Sequence, residues 1–122
     1  MITIYHNNRC GKSRSALCLL EESGQKFQTV EYLKDVPSVE AIKSILKKLK
    51  LKPHDIIRTK EAVYLENYKG KELTDAQWIQ VLHEHPILIE RPIVINGNKA
   101  VVARPPERVR EFLCLLMFYG YC

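Results

Sequence analysis

The apolar positions change period along the chain, and each change marks an element. Ile2-Thr-Ile-Tyr5 alternates and is rich in β-branched residues, the pattern of a short strand. From about residue 12 to 23, Ala16, Leu17, Leu19 and Leu20 recur at helical spacing, and Gly24 stands where a helix stops. Phe27 to Leu33 returns to a strand pattern. Strand, helix and strand in that order predict a βαβ unit with a parallel pair. Ser38 is then a candidate N-cap for a helix whose apolar face is Val39, Ile42, Leu46 and Leu49. Pro53 opens a short helix through Asp55, Ile56 and Ile57. Thr74-Asp-Ala-Gln77 spells a capping box ahead of Trp78, Ile79, Val81 and Leu82. Residues 38–84 therefore read as a mostly helical block, and its crossover ends at Pro86.

The last third changes pattern again. Pro92-Ile-Val-Ile95 and Ala100-Val-Val-Ala103 flank Asn96-Gly97-Asn98, a hairpin signal. Pro105 and Pro106 suit the first turn of a final helix, with Phe112-Leu-Cys-Leu-Leu-Met-Phe118 as its buried face. The order is βαβ, helices, ββα. That is an α/β protein of thioredoxin-like fold, with a mixed four-stranded sheet flanked by helices. The expectation is one domain, 1–122, with its helical insertion at 38–84.

Composition narrows the class. A chain of 122 residues, 46% hydrophobic and 27% charged, is ordinary for a globular domain that folds without a disulfide or metal staple. Met1 to Tyr5 shows no basic region ahead of an apolar run, and no stretch approaches about 18 apolar residues. The expectation is a cytoplasmic protein with no membrane partner. The net charge of +5 suits anionic ligands of any size. Lys43, Lys47, Lys48, Lys50 and Lys52 crowd one segment, however, and read as the solvated side of a helix, so they do not point to nucleic acid. Cys10, Cys18, Cys114 and Cys122 form no Cys-x-x-Cys pair and no zinc-finger spacing with the four histidines. Without a secretion signal they are expected as reduced thiols, and no metal site is expected.

The candidate chemistry lies in His6-Asn-Asn-Arg-Cys10-Gly-Lys-Ser-Arg14. Gly11-Lys12-Ser13 hints at a nucleotide phosphate loop, but such a loop needs a glycine five residues before Gly11, where His6 stands. A tyrosine-phosphatase cradle holds its arginine six residues after the cysteine; Arg14 follows Cys10 by four. The remaining reading is a reactive thiol between a strand and a helix, where amide donors and the helix dipole favour a thiolate. His6 when protonated, with Arg9, Lys12 and Arg14, adds positive potential. The alternative is a cysteine that merely packs, yet its neighbours here are Asn, Arg, Gly and Lys. Ser13 occupies the place of a second thiol, so a local dithiol cycle is excluded. Cys18 is roughly 12 Å along the helix from Cys10, too far for a disulfide. Cys114 and Cys122 stay open as resolving thiols beside an external one.

Tyr5-His-Asn-x-x-Cys10-x-x-Ser-Arg14, with Arg58, His85-Pro86-Ile-Leu-Ile, Arg91-Pro92-Ile-Val94 and Arg104-Pro105, resembles the ArsC family across residues 2 to 113. These are glutaredoxin-linked arsenate reductases of the thioredoxin superfamily. The resemblance implies that Cys10 is the nucleophile and that His6 helps to lower its pKa. It implies that Arg58, Arg91 and Arg104 bind the oxyanion, that Ser13 and Arg14 line the loop, and that Pro92 is a cis-proline. The implied partners are arsenate or a similar oxyanion, glutathione as co-substrate, and glutaredoxin. No metal or organic cofactor is implied as a bound group.

Two other functions share parts of this signature. One is a glutathione-dependent thiol oxidoreductase of another substrate, which uses Cys10 but not all three arginines. The other is a non-enzymatic regulator similar to the Spx-type proteins that dock on RNA polymerase, although Ser13 removes their usual Cys-x-x-Cys switch.

Overall fold

The structure is a computed structural model and describes residues 2–112. Four strands form one sheet in the order β2-β1-β3-β4: β1 Ile2–His6, β2 Phe27–Glu31, β3 Ile93–Asn96 and β4 Lys99–Val102. β1 runs parallel to β2, with Ile2 opposite Phe27 and His6 opposite Glu31. It runs antiparallel to β3, which is antiparallel to β4. The sheet is mixed, as the βαβ and hairpin patterns predict. Gly97 takes a left-handed φ of 62° in the two-residue turn between β3 and β4, a conformation that costs glycine little.

Helix α1, Gly11–Ser23, joins β1 to β2 and ends at Gly24 in the left-handed conformation. Its Ala16, Leu19 and Leu20 meet Ile2 and Ile4 of β1, Val94 of β3, Val101 of β4, and Ala103 and Val109 in one apolar cluster. The alternation of β1 and the helical spacing of α1 exist to fill that cluster. β2 is shorter than the run 27–33 and has no fully buried residue, because it is the sheet edge. The expected final helix is a 3₁₀ helix, Pro106–Phe112, packed on α1. Its continuation to Phe118 lies outside the described residues.

The chain divides into two compact units: residues up to Tyr32 together with those from Arg91 onward, and Leu33–Glu90 between them. The second unit holds α2 Val39–Leu49, α3 Ala62–Asn67 and α4 Asp75–Glu84, with 3₁₀ turns at Pro53–Ile56 and Pro86–Leu88. Ser38 Oγ accepts from the Ala41 N–H at 3.1 Å and caps α2. Thr74 and Gln77 form the reciprocal capping box of α4 at 3.2 and 2.8 Å. α2 packs on α4, and the His83 ring donates from Nδ1 to the Pro37 carbonyl at 2.8 Å, tying the entrance of α2 to the end of α4. Trp78 centres a ring cluster with His54, Tyr64 and Tyr68. No helix among the described residues is long and apolar enough to cross a membrane.

Candidate active site

Strand register decides what meets at the site. Tyr5 pairs with Ile93, and Ile93 pairs with Val102. The end of β1, the start of β3 and the end of β4 therefore lie side by side at one end of the sheet. Three segments emerge there: the loop from His6 to Cys10, the Arg91–Pro92 dipeptide, and Ala103–Arg104. The Ala103 N–H donates to the Pro92 carbonyl at 2.9 Å and holds the last two together. Arg91–Pro92 and Arg104–Pro105 are both cis; no motif signalled the second. Arg91 Nε and Nη1 and Arg104 Nε are buried atoms.

Cys10 is the N-cap residue of α1, in extended conformation, and 8% exposed. Its side chain makes no capping hydrogen bond of ordinary geometry. Burial is the largest influence on the thiol and pushes its pKa up. The Ser13 N–H, the Arg91 guanidinium and the Lys12 N–H face the sulfur and favour the thiolate, and together they hold Cys10 below the ordinary thiol value. Among the described residues Cys10 is the free cysteine. Cys18, expected as a reduced thiol, is disulfide-bonded. Cys114 and Cys122 lie outside the described residues.

His6 and Ser13 sit behind the thiol. Ser13 is fully buried; its Oγ hydrogen-bonds His6 Nδ1 and accepts from the Asn7 N–H at 3.0 Å. Burial lowers the His6 pKa and outweighs the opposing Glu31 carboxylate and Ser13 hydrogen bond; the Arg14 charge lowers it further. His6 is therefore a neutral ring at pH 7, not the cation that the loop's positive potential would include. Its hydrogen-bond partner is Ser13, whose N–H faces the Cys10 sulfur. The Arg14 guanidinium turns back to the Asn8 carbonyl at 3.0 Å and braces the loop. Arg58 belongs to the other unit. Its N–H donates to the Leu88 carbonyl at 2.8 Å, and its guanidinium pairs with Glu61.

A groove of about 700 Å³ begins at the residues after Cys10 and runs between α1 and the 3₁₀ helix Pro106–Phe112. Lys12, Arg14 and Arg110 give it positive charge, Glu107 adds one carboxylate, and Leu19 and Pro106 line it with apolar surface. Among the described residues no cluster of His, Cys, Asp or Glu is arranged to hold a metal ion. Sequence reasoning quoted Asn7 only within the motif, without its bond to the Arg9 N–H, and did not single out Glu31 beside His6. The signal for Asn7 was available, since Asn commonly opens a turn.

The arrangement presents a thiol held below its ordinary pKa, a half-buried arginine beside it and a basic groove that starts at the residue after it. The chain as a whole is similar to known proteins. The Arsenate reductase of Haemophilus influenzae is 44% identical over 114 residues, which span 92% of this chain and 98% of that protein. The Arsenate reductase of Neisseria meningitidis serogroup B is 40% identical over 92% of this chain and 97% of that protein. The solved structure of an arsenate reductase from Vibrio cholerae superposes with a TM-score of 0.87 at 43% identity, covering 92% of this chain and 97% of that one. The family model of the ArsC family matches residues 5–112, and the chain belongs to that family.

Proposed function

We propose that this protein is an arsenate reductase, and the observation that carries the reading is Cys10 itself. It is a buried thiol held below its ordinary pKa by two helix N–H groups and the Arg91 guanidinium. A thiolate approaching arsenate meets like charge. Guanidinium groups offset that repulsion and suit the edges of a tetrahedral oxyanion. Their effect grows where water is excluded. Arg91 and Arg104 leave the same sheet end as Cys10 and carry buried guanidinium nitrogens. Arg58 is the third arginine assigned to the oxyanion, and Ser13 and Arg14 shape the loop.

The reaction runs in three stages. The Cys10 thiolate displaces hydroxide from arsenate and forms a sulfur–arsenic bond. Glutathione thiolate attacks the Cys10 sulfur; arsenic leaves with the bonding pair as As(III), and a mixed disulfide remains. Glutaredoxin thiolate then attacks the glutathione sulfur and releases Cys10 as thiolate. The basic groove beside Cys10 offers the anionic tripeptide room to approach. No bound cofactor enters the cycle, and a cytoplasmic setting supplies the reduced thiols.

The test is arsenate-dependent NADPH consumption in an assay coupled through glutathione reductase, with glutathione and glutaredoxin present. Wild type turns over, and Cys10→Ser falls to background, a loss of at least about 10²-fold for a nucleophile. Absence of wild-type turnover overturns the assignment. Turnover with glutathione but without glutaredoxin corrects the last stage alone.

A further inference from the structure

Asn7 is a buried amide, 7% exposed, between the last residue of β1 and the turn that leads to the thiol. It opens the four-residue turn Asn7–Cys10, closed by the Cys10 N–H donating to the Asn7 carbonyl at 3.0 Å. Its Oδ1 accepts from the Arg9 N–H at 3.0 Å. Its own N–H donates to Ser13 Oγ at 3.0 Å. An asparagine at the first position of a β-turn that bonds the N–H two residues on fixes the turn from inside. The three bonds have separate effects: one sets the turn, one delivers Cys10, and one ties the strand end to the first turn of α1.

We propose that Asn7 is a positioning residue for the Cys10 thiol: its side chain fixes the turn that aims the sulfur at Arg91 and at the N–H groups of Lys12 and Ser13. The residue acts through backbone and touches no reacting atom. The outer side of the same turn is braced by Arg14 on the Asn8 carbonyl. Asn7→Ala removes only the bond to the Arg9 N–H, since the other two are made by backbone atoms of Asn7. A serine hydroxyl can make a weaker version of the same turn. The proposal rests on the reading of Cys10 as an activated thiol, but not on arsenate as the substrate.

The experiment is pH-dependent alkylation of Cys10 by iodoacetamide, followed at the Cys10 peptide by mass spectrometry, in the full-length protein. Wild type, Asn7→Ala and Asn7→Ser are compared, with far-UV circular dichroism on each. The midpoint of the profile reports the thiol's surroundings independently of its accessibility. Asn7→Ala stays folded, its midpoint moves up toward the ordinary thiol value, and its rate at pH 7 falls about fivefold, the factor that one hydrogen bond supports. Asn7→Ser recovers most of that shift. Matching midpoints in wild type and Asn7→Ala overturn the role of Asn7 while leaving the activated thiol in place. Unfolding of both variants also overturns it, by assigning Asn7 to stability of the fold. A wild-type midpoint at the ordinary value removes the activated thiol, and the role of Asn7 falls with it.

Discussion

In the proposed reaction a single sulfur carries the chemistry, and its neighbours pull it in opposite directions. Burial alone would raise the Cys10 pKa, so the guanidinium and the two N–H groups must overcome it. Arg91 acts both as donor and as charge, which makes it the most informative substitution. Arg91→Met should raise the alkylation midpoint of Cys10 by about one pH unit, because only the Ser13 and Lys12 N–H groups then oppose burial. Arg91→Lys should fall between, since lysine keeps the charge and loses the planar fork. Equal midpoints in wild type and Arg91→Met would show that the arginine does not set the thiol. The place of Cys10 between a strand and a helix was legible in sequence, and the structure puts it at the N-cap of α1 with its pKa lowered. The neutral state of His6 was not. It depends on burial behind the loop, which no local pattern reveals. Arg91 and Arg104 have no signature of their own; spacing alone reads them as surface residues.

At the scale of elements, the site is a consequence of register. Slipping β3 by one residue against β1 would turn every side chain of β3 to the opposite face and separate Arg91 from the end of β1. The strands that create this register, and the helix caps of the other unit, were largely visible in sequence. Ser38 and the Thr74–Gln77 box cap their helices with the bonds the pattern predicts. Helix α3 was missed, because Ala62–Asn67 is too short to show a period. The proline pair at 105 and 106 signalled a helix but not its tighter 3₁₀ form. The capping box offers a test confined to the Leu33–Glu90 unit. Thr74→Ala should cost about 1 kcal/mol, read as a lower urea midpoint with an unchanged slope. The alkylation profile of Cys10 should not move. A shifted profile would mean that the cap of α4 is coupled to the thiol.

For the whole molecule, the two titrating groups of the site give stability a definite dependence on pH. His6 has a folded pKa below its ordinary 6.5. Above about pH 6.5 the ring is neutral in both folded and unfolded chains, and its contribution is fully present. As pH falls from there toward the lower folded value, the unfolded chain takes up the proton first and stability drops. Cys10 works in the same direction in another window. Its folded pKa is depressed, so the unfolded chain holds the extra proton up to about pH 8.5, and stability climbs with pH through that range. The net charge of +5 adds repulsion on acidification, and that effect is common to any variant of similar charge. Comparing variants with wild type therefore isolates each group. His6→Asn keeps an atom near the Nδ1 position for Ser13 but cannot titrate. Its urea midpoint, followed by far-UV circular dichroism from pH 5 to 9, should lose the limb just below pH 6.5 and keep the alkaline one. Cys10→Ser should do the reverse. An acid limb in His6→Asn as steep as that of wild type would assign it to the carboxylates, and the neutral ring behind the thiol would lose its support.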